Sequence, residues 1–233
     1  AVVLSRHSNV ARPIASITKL MTALVVLEAG QSLDDKVKVS RHDKWFPTEA
    51  ESRLPNGTVL TRGDLMHLAL MSSENRAAYA LCANYEGGLP ACVQAMNSKA
   101  AALGMKSAHF VEPTGLSSRN VASSEDLAKL VMAASENPTI QQYSTDDSHI
   151  VPIGREKYEF RNTNSLVRNP DWDIVVQKTG YISEAGRCLV MKTVFDGRSI
   201  VIVLLDSVGK LTRVADAKRI RKWMEAQVAK TST

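Results

Sequence analysis

The stretch from Pro13 to Gly30, Pro-Ile-Ala-Ser-Ile-Thr-Lys-Leu-Met-Thr-Ala-Leu-Val-Val-Leu-Glu-Ala-Gly, limits what this chain can fold into more than any other. Read as a helix from about Ser16 with Gly30 as its stop, it is apolar on nearly every face, so the rest of the chain must cover it on all sides. One charged residue stands in its first turn. Lys19 follows Ser16 by three positions, and i and i+3 share a helix face, so amine and hydroxyl come within hydrogen-bond reach. A buried, unpaired ammonium is costly; the amine is either led out to water or surrounded by groups built to receive it. In the second case a lysine driven toward neutrality can take the proton of Ser16 and make its hydroxyl a nucleophile. The other role open to Ser16 is that of a simple N-cap. A second Ser-x-x-Lys, Ser207-Val208-Gly209-Lys210, follows the apolar run Ile200 to Leu205, contains a glycine, and reads as a strand-end turn.

A helix buried all round needs a sizeable core. The chain has 233 residues, 44% of them hydrophobic, and no run long enough to span a bilayer, which predicts one large domain or a domain with an inserted subdomain and no integral membrane segment. The net charge of +5 comes from scattered basic residues not interleaved with aromatics, which does not favour nucleic acid as a partner. Cys82, Cys92 and Cys188 form no Cys-x-x-Cys, and His7, His42, His67, His109 and His149 show no metal spacing, so no metal or cofactor is expected. Cys82 and Cys92 fit either a bridge in an oxidising compartment or two buried thiols. The chain opens on strand-like Ala1-Val2-Val3-Leu4 without a signal peptide, as a mature secreted protein would.

Along the chain, Val2 to Ser5 and Val10 to Ile14 read as a short hairpin leading into the buried helix. Residues 31–60 are mostly loop with one alternating segment, Val37-Lys38-Val39. Thr61-Arg62-Gly63-Asp64 is a capping-box-like start for an apolar helix over Leu65 to Met71; Leu89 to Leu103 with Gly104, and a helix from Ser123-Ser124-Glu125-Asp126 toward Pro138, extend a helical block over 61–145. His149 to Ile153, Tyr158 to Arg161, Trp172 to Lys178, Arg187 to Phe195 and Ser199 to Leu205 are rich in β-branched residues and read as strands, the last two joined by the hairpin pair Asp196-Gly197. Thr212 to Val228 is a closing helix. The fold class expected is α+β: an antiparallel sheet built from both chain ends and flanked by helices, with an inserted all-helical subdomain. Residues 1–30 plus 146–233 would form the α/β part and 31–145 the helical part.

Two further patterns accompany Ser16 and Lys19. Lys178-Thr179-Gly180 stands at the predicted end of the strand Ile174 to Gln177, where a cation and a hydroxyl can hold a substrate carboxylate and Gly180 lets backbone come close. Ser-x-Asn occurs at Ser73-Glu74-Asn75, Ser118-Arg119-Asn120 and Ser135-Glu136-Asn137. Ser73 follows an apolar helix, where a helix-end loop can be aimed rigidly at the first helix, while Ser118 lies in a Gly-Leu-Ser-Ser turn and Ser135 precedes Pro138.

Ser-x-x-Lys, Ser-x-Asn and Lys-Thr-Gly in that order are the signature of penicillin-binding proteins and class A β-lactamases. Leu103 to Leu116, Met71 to Ala78, Phe160-Arg161-Asn162-Thr163-Asn164 and Lys178-Thr179-Gly180-Tyr181 resemble segments of low-molecular-mass D-alanyl-D-alanine peptidases, especially their periplasmic endopeptidase branch. Glu74 stands where the carboxypeptidases of that family usually carry glycine.

The resemblance implies that Ser16 is the acylated nucleophile, Lys19 its general base and Ser73 the group passing a proton to the leaving amine. Asn75 would hold the substrate backbone and Lys19; Lys178 and Thr179 would orient the substrate, Lys178 also keeping Lys19 neutral; Gly180 would line the site; the N–H groups of Ser16 and Tyr181 would form the oxyanion hole. Implied with these are peptidoglycan stem peptides as substrates, β-lactams as covalent inhibitors and a periplasmic location. A carboxypeptidase shares every motif. A class A β-lactamase would need a Glu-x-x-Leu-Asn between Ser73 and Lys178, which is missing, and an inactive penicillin-sensing module would not need Ser16, Lys19, Ser73 and Lys178 together.

Overall fold

The computed structural model describes residues 2–40, 52–209 and 211–231. At its centre is α1 (Thr18–Glu28), entered through a single 3-10 turn over Ala15–Ile17. Every residue of α1 from Thr18 to Val26 is buried, as a helix apolar on nearly every face requires. It is covered by α2 (Arg62–Met71), α3 (Asn75–Ala83), α4 (Gly88–Ala102), α5 (Ser124–Ala134) and α6 (Pro138–Thr145).

Local chemistry sets several of these boundaries. Thr61 and Asp64 close a capping box on α2, and Ser123 and Asp126 close another on α5. Pro138, expected to end a helix, instead begins α6 at its first position, where proline's missing N–H has no intrahelical role and Asn137 caps the turn. Glu74 caps α3, a helix not read from the sequence because only three residues separate it from α2. Cys82 and Cys92 are joined by a disulfide that ties α3 to α4, while Cys188 is a free, buried thiol.

The main sheet is three antiparallel strands in the order β7 (Asp173–Ile182), β8 (Gly186–Phe195) and β9 (Arg198–Ser207). The period of two divides β8 between two cores. Cys188 and Val190 face the central cluster, whereas Leu189 and Met191 join Trp172, Phe195, Ile202 and Ala217 in a second cluster beneath α7 (Thr212–Thr231). On the other side α5 and α6 lie against the strands. A separate hairpin pairs β5 (Ser148–Ile153) with β6 (Glu156–Arg161).

The sheet does not draw strands from both chain ends among the described residues. Residues 2–5 form no strand, with Val2, Val3 and Leu4 exposed, and the expected N-terminal hairpin is absent. Instead the two-residue β1 (Arg12–Pro13) pairs with β4 (Val121–Ala122), and Ile14 N–H donates to Asn120 O. In the region read as mostly loop, β2 (Lys36–Lys38) pairs with β3 (Val59–Thr61); the part of that loop over 41–51 lies outside the described residues. The strand expected to stop at Lys178 runs on to Ile182, with Lys178, Thr179 and Gly180 opposite Val190, Leu189 and Cys188. β7 is therefore an edge strand through the whole Lys-Thr-Gly segment, and its unpaired side meets the 3-10 turn that carries Ser16.

Candidate active site

Ser16 sits in the middle of the 3-10 turn, and its side chain does not cap α1. The preceding Ala15 has φ of +47°, a left-handed conformation that an L residue adopts only when its surroundings impose it. Two glycines do so. A Cβ on Gly115 would stand 1.9 Å from Ala15 O, and one on Gly180 would stand 3.0 Å from Ile14 O and 3.1 Å from Ser16 N. The Ala15–Ser16 peptide is thus gripped between the 112–117 loop and the edge of β7.

Lys19 is fully buried, and its Nζ donates to Ser16 Oγ, Asn75 Oδ1 and Thr114 O, each at 2.7 Å. Burial brings its pKa down to about 7, against the opposing charges of Glu112 and Glu74. Desolvation is the largest cause of that lowering, and the repulsion between the two lysines falls on Lys178. Lys178, also fully buried, is held well below an ordinary lysine by burial first, then by the positive charges of Lys19 and Arg213. Its Nζ donates to Ser73 Oγ at 2.9 Å and to Thr179 O at 2.9 Å.

Ser73 follows the end of α2 with φ of +62°, so the second hydroxyl of the cleft also lies on strained backbone. Glu74 is buried beneath it, accepting from Arg53 N at 2.7 Å, Ala77 N at 3.1 Å and the Ser52 hydroxyl, which fixes the entry to α3 and hence Asn75. Thr179 Oγ1 lies 2.6 Å from Thr163 Oγ1, and Thr163 N–H donates to Met71 O, linking β7 to the end of α2.

The structure brings Ser16, Lys19, Ser73, Asn75, Lys178, Thr179 and Gly180 into one cleft. The Tyr181 ring is half-exposed, its centre 4.4 Å from the Arg187 guanidinium carbon. Of the other Ser-x-Asn sequences, Ser135 accepts from Lys192 and donates to Met132 O, and Asn120 braces the 112–117 loop through Glu112 and Thr18. Four participants have no role in the sequence reading. Thr114 and Gly115 lie in the resembling segment Leu103 to Leu116 and Thr163 in Phe160 to Asn164, but no chemistry is read for them there, and Arg213, which donates to Gly180 O at 3.2 Å, belongs to a helix read only for its apolar face.

A serine hydroxyl held against a buried lysine, with a second serine after α2 bonded to a lysine on an edge strand across the cleft, defines the serine DD-peptidase and β-lactamase class of fold and site. A family model described as D-alanyl-D-alanine carboxypeptidase matches residues 1–209, and the chain belongs to that family of serine-type DD-peptidases. The chain is 46% identical over 226 residues to the D-alanyl-D-alanine endopeptidases of Escherichia coli and Pseudomonas aeruginosa, covering 96% of itself and 73% of each relative. Among solved structures it is similar to a Streptomyces DD-transpeptidase (TM-score 0.87, 26% identity, 96% of this chain and 91% of that one). It is likewise similar to a D-alanyl-D-alanine carboxypeptidase from Mycobacterium tuberculosis (TM-score 0.85, 30% identity, 96% and 86%).

Proposed function

We propose that this chain hydrolyses the D-alanyl crosslinks of peptidoglycan stem peptides as a D-alanyl-D-alanine endopeptidase, working in the periplasm and acylated by β-lactams at Ser16. What carries the proposal is the set of partners around Lys19. An ammonium has three N–H donors, and Asn75 Oδ1 and Thr114 O are both acceptors with no proton to give back through these contacts. When Lys19 is neutral its two N–H groups remain on those acceptors and its lone pair points at Ser16 Oγ. The Ser16 O–H then donates to Lys19, which is the geometry of a general base.

Acylation follows from there. Ser16 Oγ gives its proton to Lys19 and bonds to the D-alanyl carbonyl carbon; the oxyanion is received by the N–H groups of Ser16 and Tyr181. The C–N bond breaks as Ser73, linked to Lys178, delivers a proton to the leaving amine, and the proton taken up by Lys19 restores Ser73. Water then cleaves the ester, releasing the donor peptide as a carboxylate and returning Ser16 to its hydroxyl form. Lys178 and Thr179 orient the substrate through the carboxylate beside the leaving amine, and Gly180 leaves room for its backbone. In a β-lactam the leaving nitrogen stays tethered, so the ester persists. The cleft lies between the part formed by 1–30 plus 146–233, which supplies Ser16, Lys19 and Lys178, and the part formed by 31–145, which supplies Ser73 and Asn75.

The curated relatives at 46% identity bear the name D-alanyl-D-alanine endopeptidase, which favours crosslinks over terminal D-alanine as substrate. Digestion of purified crosslinked and uncrosslinked muropeptides tests this. Conversion of dimers to monomers by the wild type and not by Ser16→Ala is expected; free D-alanine accumulating over intact dimers would make it a carboxypeptidase.

A further inference from the structure

Glu112 is 1% exposed, and the groups its carboxylate accepts from are all neutral. Oε2 takes Thr114 N–H and Thr114 Oγ1, both at 2.6 Å, while Oε1 takes Gly115 N–H at 2.6 Å and Asn120 Nδ2 at 2.9 Å. A buried carboxylate without a cation is costly and persists only where its hydrogen bonds are complete. Here they hold the backbone of Thr114 and Gly115 in a single conformation. Both residues end at the nucleophile: the Thr114 carbonyl accepts from Lys19 Nζ, and the Gly115 α-carbon, at φ of +85°, seats against Ala15 O. Asn120 locks the same loop to α1, because its Nδ2 also reaches Thr18 Oγ1 at 3.1 Å.

We propose that Glu112 is a positioning residue for acylation, acting through the Thr114 carbonyl on the Lys19 amine and through Gly115 on the Ala15–Ser16 peptide. The proposal rests on Lys19 being the base of the preceding section. It gives Glu112 two separable effects. Its hydrogen bonds place the amine acceptor and the Ser16 N–H, and its negative charge favours the ammonium that Lys19 becomes once it has taken the Ser16 proton. The charged groups facing Lys19 are Glu112 and Glu74, which raise its pKa, and Lys178 across the cleft. Glu112 thereby counters burial, which alone would leave Lys19 too weak a base.

The two effects are separated by Glu112→Gln and Glu112→Asp, with acylation by a labelled penicillin followed between about pH 5 and 9. Gln removes the charge, so the acid limb of the acylation rate should move down by about one pH unit. The plateau should fall by up to about 10²-fold as the loop loses its acceptor. Asp keeps the charge on a shorter arm; its limb should stay in place while its plateau falls. A Gln variant with the wild-type limb, or an Asp variant with the wild-type plateau, overturns the proposal; should the Gln variant not fold, the Asp arm still decides. If Lys19→Arg acylates normally, it is the assignment of the base that fails, whatever the Glu112 variants do.

Discussion

Gly115 and Ala15 are packed backbone to backbone, with the space a Cβ on Gly115 would need already filled by the Ala15 carbonyl, whose oxygen would lie 1.9 Å away. The loop and the nucleophile turn therefore cannot separate by even one methyl group without moving Ser16. Gly180 seats against the same turn from the other side with contacts near 3 Å, tight but open to small adjustment.

The two glycines should respond differently to alanine. Gly115→Ala adds a backbone clash and a left-handed alanine, the latter alone costing about 1–3 kcal/mol. Its melting temperature should drop by several degrees, at about 2–4 °C per kcal/mol for a chain of this size, and penicillin acylation should be lost. Gly180→Ala should melt nearer the wild type yet acylate at least about ten times more slowly, since the shift falls on the Ser16 N–H. Calorimetry and acylation rates on the pair check this; equal behaviour of the two would contradict the gripping role.

Lys19→Arg should inactivate although it keeps the charge. Arginine does not lose its proton in a protein and so has no lone pair for Ser16. Its bulk also cannot occupy a site whose three acceptors all lie at 2.7 Å from one nitrogen. A loss of about 10²–10⁴-fold in acylation rate, the range a general base contributes, is expected from stopped-flow labelling. A near-wild-type rate would make Lys19 an electrostatic residue.

Acylation should depend on pH through Lys19. With a pKa of about 7 the amine is protonated and inactive as a base below that value, so the rate should rise through about pH 7 and level above it. The same shift bears on stability, with a sign that can be worked out. The unfolded lysine keeps its proton up to its ordinary value of 10.5, so between about 7 and 10.5 the unfolded state binds more protons than the folded one, and this group makes stability rise with pH across that window. Lys178 acts in the same direction. Urea midpoints measured at several pH values on wild type and Lys19→Met should show a smaller rise in the variant; an unchanged rise would place the proton uptake elsewhere.

The sequence made some of this legible for identifiable reasons. α1 was readable because a helix apolar on all faces has only one fate, and Ser16 with Lys19 because helical spacing alone puts them together. The β-branched run before Lys178-Thr179-Gly180 places that segment at a strand end with Gly180 admitting close backbone, and Gly180 does lie against the Ser16 turn, but within β7 rather than at its end. Val2 to Leu4 reads as a strand from its β-branched content, but among the described residues nothing covers those side chains, which are exposed. Thr163 and Arg213 act through neighbours far along the chain, Thr179 and Gly180, while Glu112 acts through the backbone of its own loop, whose contact with Lys19 only the fold creates.

Glu74 offers the last test. It stands in the middle residue of the Ser-x-Asn motif, where its buried carboxylate caps α3 through Ala77 N–H and pins Arg53 N–H and the Ser52 hydroxyl. Glu74→Gly removes the cap and leaves the buried Ala77 N–H and the partly buried Arg53 N–H and Ser52 hydroxyl to find other partners, while adding backbone freedom between Ser73, already at φ of +62°, and Asn75. Loss of an N-cap costs about 1 kcal/mol, and the stranded donors add to it, so the variant should be destabilised by about 2–3 kcal/mol. Asn75 Oδ1 then has less to hold it against Lys19, and acylation should slow along with the melting temperature. Glu74→Gln separates the causes, because one carboxyl oxygen becomes an NH₂ facing donors and the hydrogen bonds fail while the backbone stays constrained. If Gln reproduces the acylation defect, the anchoring of Ser52 and Arg53 positions Asn75; if only Gly does, backbone freedom at the motif is the cause.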